Sequence, residues 1–111
     1  MKTIIVLNSD ILGRGDDKLG AMMMGNFLRK LWAYPVKPDA IIFYNTAVKL
    51  LLKGSTVLDA LTGLADGGVD LVACSTCINF FNVKEEMRIG RIGEMPEIVS
   101  LLLGSEKVIT P

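Results

Sequence analysis

Three observations predict an α/β fold, a three-layer sandwich around a central, mostly parallel sheet of about five strands. Apolar, β-branched runs recur at residues 3–8, 40–44, 69–74 and 107–110. Near-continuous runs of this kind belong to strands buried on both faces of a parallel sheet. Longer stretches with helical spacing separate them, and the connections are short, which implies right-handed β-α-β crossovers and flavodoxin-like layering.

The elements follow in order. After the first strand, residues 16–32 space Leu19, Met23, Phe27 and Leu31 four apart, with Met24 and Leu28 on a neighbouring ridge. Asp16 or Asp17 suits the start of this helix, because a carboxylate caps free N–H groups and complements the dipole. The helix is expected to stop before Pro35. Thr56 and Asp59 have the spacing of a capping box opening a helix that carries Val57, Leu61 and Leu64, ended by Gly67 and Gly68. Residues 87–92 alternate weakly and predict an edge strand. Residues 94–103 predict a last helix, with Pro96 in its first turn and Gly104 closing it.

Composition bounds the function. The 111 residues fit one domain, and half are hydrophobic, enough for a real core. Twelve basic residues balance twelve acidic ones, which argues against a nucleic-acid or anionic-membrane binder held by bulk charge. Met22-Met23-Met24 reads as core or as an oligomer face. No apolar stretch approaches the roughly 18 residues of a membrane span, and Asn8-Ser9-Asp10 interrupts the first run too early for a signal peptide. The expected compartment is the cytoplasm, where thiols stay reduced.

There are two cysteines and no histidine. A Ser-His-Asp triad, a Cys-His dyad and an imidazole-bound metal are therefore excluded within the chain. Cys74 and Cys77 sit three apart where the third strand hands over to a helix. Free N–H groups and the helix dipole at such a junction favour a thiolate and lower a thiol pKa. C-x-x-C spacing also lets one thiol resolve a persulfide or mixed disulfide on the other. One such pair supplies only two metal ligands, so no metal site is expected. A receiver-like phospho-acceptor is excluded too, since Cys74 stands where an aspartate is required.

In parallel sheets ligands bind at the carboxyl ends of the strands. That directs attention to residues 8–17, 45–49 and 74–82. Asn8, Ser9 and Asp10 after the first strand, Arg14, Gly15 and Asp16 in the following loop, Asn45 after the second strand, and Ser75 and Thr76 between the cysteines are the candidate binding residues. The loop is not a dinucleotide fingerprint, because Lys18 falls where the third glycine of G-x-G-x-x-G belongs. Arg14 is expected to face the cysteines across the shared edge and to help hold a thiolate or an anionic sulfur species.

Residues 69–83, together with Asn8-Ser9-Asp10-Ile11-Leu12-Gly13-Arg14-Gly15-Asp16-Asp17-Lys18-Leu19-Gly20 and Phe43-Tyr44-Asn45-Thr46-Ala47-Val48-Lys49-Leu50, resemble the DsrE-like sulfur-relay family. The likeness extends to Gly90-Arg91-Ile92-Gly93-Glu94-Met95 and Glu97-Ile98-Val99, and is nearest to the DsrE-like domain of YedF-type proteins linked to selenium metabolism. It implies a small oligomeric α/β protein whose cysteine carries sulfane sulfur (or selenium) between donor and acceptor proteins, with no organic cofactor. Cys74 matches the family's commonest cysteine position and would accept the sulfur. Cys77 matches the second cysteine of the YedF-like branch and would stabilise or resolve it. Ser75 and Asn82 stand where that branch carries glycine, and asparagine tolerates the left-handed turn better than most residues. The resemblance does not reach the TusA-like domain that usually precedes this one, so no hand-over within the chain is expected. Two further readings stay open from the residues alone: a small-ligand or regulatory module whose cysteines only line a wall, and a thiol–disulfide oxidoreductase.

Overall fold

A computed structural model describes residues 2–111. Five strands, β1 (Thr3–Leu7), β2 (Ala40–Phe43), β3 (Asp70–Cys74), β4 (Arg91–Gly93) and β5 (Lys107–Ile109), form one sheet in the order β4-β3-β2-β1-β5. Every pairing is parallel, with Ile5 beside Ile41, Phe43 beside Ala73, and Cys74 beside Gly93. Because side chains alternate along a strand, the β-branched runs feed two separate cores. Ile5, Leu7, Ile41, Phe43, Leu71 and Ala73 point to one face. Ile4, Val6, Ala40, Ile42, Val72 and Cys74 point to the other.

The first face is covered by α1 (Asp17–Ala33), a 3-10 segment (Asn45–Leu51), α2 (Leu58–Asp66) and α3 (Ser75–Phe81). The second is covered by α4 (Met95–Leu103), which inserts Ile98 with Leu101 and Leu102 beside it. The result is the three-layer α/β sandwich read from the sequence.

Asp16 caps α1 as expected, its Oδ1 accepting from the Leu19 N–H at 2.8 Å. The ridge facing the sheet is Gly20, Met24 and Leu28, however, and Leu19 and Met23 turn outward. Gly20 explains the choice. A Cβ there would lie 2.8 Å from the Cβ of Ile11, so only glycine lets the helix settle this close to the loop before it. Met24 fills the core below, while Met22 is exposed.

Two sequence expectations need correction. The Thr56–Asp59 capping box does not form: α2 starts at Leu58 without a side-chain cap. The Thr56 carbonyl instead accepts from Arg29 Nη2 at 2.9 Å, and Asp59 faces Arg29 across 3.9 Å. Arg29 of α1 thus contacts the Thr56 main chain and the Asp59 carboxylate. The edge strand predicted over residues 87–92 is shorter and later, at Arg91–Gly93. Met87 makes an antiparallel bridge to Leu52, and a positive φ of 86° at Gly90 turns the chain before β4 begins. Met87 and Ile89 alternate because both pack onto the first core.

Arg91 locks this short edge in place. Its Nε and Nη2 donate to the two carboxylate oxygens of Asp70 on β3, each at 2.9 Å. Nη1 and Nη2 donate to Glu97 of α4 at 3.0 and 2.7 Å. One planar guanidinium therefore ties β4 to its neighbouring strand and to the helix above. The guanidinium in turn holds the Glu97 carboxyl below the usual carboxylate range.

Candidate functional site

The carboxyl ends of β2, β3 and β4 meet at one edge and bring Tyr44, Asn45, Cys74, Ser75, Cys77 and Glu94 together. Cys74 is the last residue of β3 and the residue from which α3 starts. Its side chain follows the strand's alternation into the second core and is 1% exposed. Cys77, one helical turn later, is only partly buried and touches both cores. Neither cysteine is in a disulfide, and the two thiols are neighbours. Asn82 closes α3 in the left-handed conformation, at φ 56° and ψ 50°, so the turn that glycine would make is kept.

Asn45 supplies the polar contact to the outer thiol. It follows β2 with a φ of 51°, and its backbone N–H donates to Cys77 Sγ at 3.0 Å. A left-handed residue at this point aims its N–H across to the neighbouring strand-to-helix turn. Asparagine is among the few non-glycine residues that hold such a conformation at modest cost.

Thiol electrostatics differ from the sequence expectation at Cys77. Burial pushes this thiol above its ordinary value, the Asn45 N–H pulls the other way, and Cys74 beside it adds to the rise. Loss of hydration is the largest of these influences and sets the direction. A raised pKa leaves less thiolate at neutral pH. Alkylation of Cys77 by iodoacetamide should thus be slower at pH 7 than that of free cysteine, with its half-maximal rate at a higher pH. A midpoint below that of free cysteine, followed by peptide mass spectrometry, would contradict this environment.

Two neighbours were not singled out from the sequence. Tyr44 packs against the second core, and burial, with the two cysteines next, pushes its phenol up and keeps it neutral. Glu94 precedes α4 and accepts a hydrogen bond from Ser75 Oγ at 2.9 Å, which places a carboxylate against the turn between the cysteines. Both lie in segments that carry the family resemblance, and each is the first residue past the end of a strand.

The remaining candidates divide between cavities. Thr76, Cys77 and Asn45 line a shallow pocket of about 240 Å³ with Phe80 and Phe81. Phe80 is 82% exposed and meets Phe81 edge-on, and Lys49 Nζ sits 4.9 Å from the Phe81 ring centre. Asn8, Ser9, Arg14 and Gly15 line a larger cavity of about 790 Å³ beyond the end of β1, and Asn45 lines this one as well. Arg14 therefore borders the large cavity and not the pocket that Cys77 lines. Asp10 turns elsewhere, its N–H donating to Thr46 Oγ1 at 3.2 Å, and Asp16 is occupied as the helix cap. Among the described residues, no three Cys, Asp or Glu side chains converge as metal ligands.

Comparison with known proteins bears on this arrangement. The family model described as DsrE/DsrF-like matches residues 1–111. The chain belongs to the DsrE/DsrF-like family. Its DsrE-like fold recurs in the ychN protein from E. coli, with a TM-score of 0.73 at 18% identity over 100% of both chains. It is also similar to MTH1491 from Methanobacterium thermoautotrophicum, a protein of unknown function, with a TM-score of 0.71 at 17% identity, covering 99% of this chain and 98% of that one. BT1422 from Bacteroides thetaiotaomicron, likewise of unknown function, gives 0.62 at 18% identity, covering 99% and 95%. No curated protein matches the sequence. Identities this low carry the fold, and membership of the DsrE-like family supports a sulfur-relay type of function. No helix among the described residues is long and apolar enough to cross a membrane.

Proposed function

We propose that this DsrE-like chain is a persulfide carrier, moving sulfane sulfur or selenium between partner proteins, and that Cys77 is the thiol that meets the donor. The observation that carries this reading is the pair of unbonded thiols at one strand edge, the inner one 1% exposed and the outer one opening onto a pocket. Cys77 as thiolate attacks the outer sulfur of a donor persulfide, R–S–SH. A Cys77 Sγ–S bond forms, the donor's S–S bond breaks, and R–S⁻ leaves to take up the proton that Cys77 gave up. No net oxidation occurs, so neither a cofactor nor an outside oxidant is needed. The Asn45 N–H is aimed at Sγ and favours its anionic form. Phe80, so exposed beside the pocket, offers a partner an aromatic anchor.

An acceptor thiolate takes the sulfur by attacking the outer sulfur of Cys77–S–SH, and Cys77 leaves as thiolate; where no acceptor is present, Cys74 reacts second. Its attack on Cys77 Sγ breaks the persulfide bond, releases hydrogen sulfide and leaves a Cys74–Cys77 disulfide that an external thiol must reduce. Mass spectrometry of the anaerobic protein after exposure to a sulfane donor tests the reading, with an adduct of about 32 Da expected on Cys77. Failure to load with several donors overturns it. A thiol–disulfide oxidoreductase would instead cycle the two cysteines with no added sulfur.

The same reading takes the chain as a single DsrE-like domain that works in the cytoplasm as a homo-oligomer. Support for the oligomer comes from α4, where Met95, Val99 and Leu103 recur every four residues and remain 42%, 45% and 84% exposed. A helix apolar on both its inner and outer faces is typical of one covered on both sides. Replacing Val99 and Leu103 together by glutamate is expected to shift the light-scattering mass towards that of one chain. An unchanged mass would remove this face from the interface.

A further inference from the structure

The geometry points to a second binding site, for the amino-acid head of a low-molecular-weight thiol, in the large cavity beyond β1. It rests on the carrier reading only for its link to Cys77. The cavity, about 790 Å³, falls within the size range of small-molecule sites and lies at the carboxyl end of a parallel strand, where ligands of such sheets bind. Its apolar lining includes Leu12 and Met24, and its polar lining includes Asn8 and Thr46.

Charge selects the ligand. Arg14 and Asp17 are the two charged side chains lining the cavity, three residues apart and of opposite sign. Among the described residues neither makes an ion pair or donates or accepts a side-chain hydrogen bond. A simple anion would be attracted by Arg14 and repelled by Asp17, and a simple cation the reverse. A zwitterion satisfies both, its carboxylate on the guanidinium fork and its ammonium on the carboxylate. That combination, one carboxylate and one ammonium on adjoining carbons, is the head of an amino acid.

Position links the site to sulfur. Asn45 lines this cavity and the Cys77 pocket alike, and its N–H reaches Cys77 Sγ. A ligand held by its head at Arg14 and Asp17 occupies a cavity that shares a wall residue with the pocket of the outer thiol. The ligand class is therefore a small amino-acid thiol or its persulfide, of cysteinyl or γ-glutamyl-cysteinyl type, serving as a donor alongside partner proteins.

S-methylglutathione, which cannot transfer sulfur, is the probe. Titration calorimetry on the full chain should show saturable binding, weakened roughly tenfold by Arg14→Gln or by Asp17→Asn, as loss of a charge-assisted hydrogen bond predicts. Both residues are exposed, so circular dichroism should find both variants folded. N-acetylation of the probe, which removes its ammonium charge, should weaken binding to a similar degree. Absence of saturable binding, or equal affinity across the variants and the acetylated probe, overturns the site. The carrier reading is separable: Cys77 loading from a persulfide with no amino-acid head, without binding of S-methylglutathione, defeats the site and spares the carrier. Binding with no loading from any donor does the reverse.

Discussion

Cys77→Ser is expected to reduce persulfide uptake to background, whereas Cys74→Ser keeps the first loading step. The expectation follows from access. Cys74 is 1% exposed and enclosed by β-strand and α4 side chains, so an incoming donor of any size meets Cys77 first. A serine hydroxyl at position 77 stays protonated at neutral pH and is a far poorer nucleophile than a thiolate. In Cys74→Ser the adduct of about 32 Da should appear on Cys77 and also persist longer, because no inner thiol remains to expel hydrogen sulfide. Hydrogen sulfide release after loading should accordingly fall to background in that variant. Both readouts come from one sample, intact-mass spectrometry beside a sulfide assay. Loading on Cys74 in the Cys77→Ser protein would reverse the assigned roles, and the order read from the family resemblance would then hold.

The second large effect concerns stability. Phe43→Ala should cost about 3–5 kcal/mol, as deletion of a fully buried aromatic side chain does. Phe43 has no solvent exposure, belongs to the first core, and pairs with Ala73 across the β2–β3 ladder. Against a total stability of roughly 5–15 kcal/mol, that loss approaches the point of unfolding. Chemical denaturation should show it as a lower midpoint with an unchanged slope. Val108→Ala on the edge strand β5, at a residue 44% exposed, should cost under about 1 kcal/mol by comparison. The site should feel the first change as well. Phe43 is the last residue of β2, and two residues later Asn45 holds its left-handed turn against Cys77. A loss below about 1 kcal/mol for Phe43→Ala would mean that the carboxyl end of β2 is not packed as described.

Much of the architecture was legible because a parallel sheet buried on both faces writes itself as unbroken apolar runs. β1, β2, β3 and β5 fall within those runs, and α1 falls between a capping aspartate and a proline. What local pattern could not supply was the tertiary partner of each residue. Thr56 and Asp59 satisfy a capping box on paper, yet Arg29 from α1 engages both. Met87 and Ile89 alternate like strand residues, yet one forms an antiparallel bridge and both serve the core. Leu19 and Met23 look like core ridge residues, yet the close approach at Gly20 rotates them to the surface.

The two cysteines without histidine mark a candidate site in the sequence alone: a strand-to-helix junction, a thiol pair at C-x-x-C spacing, no imidazole. The sequence by itself determined that much, since strand periodicity and residue type are local properties. Which thiol faces outward was decided by the alternation of β3 against α4, which turns Cys74 inward and leaves Cys77 at the pocket. The direction of the Cys77 shift was decided there too, because desolvation depends on every group packed around a sulfur, whereas a helix dipole can be guessed from a boundary. Asn45 and Tyr44 reach the cysteines, and Glu94 reaches Ser75 between them, only because three parallel strands end side by side. Residues 19 to 33 positions apart in the chain become neighbours through sheet register, and register is a property of the folded molecule.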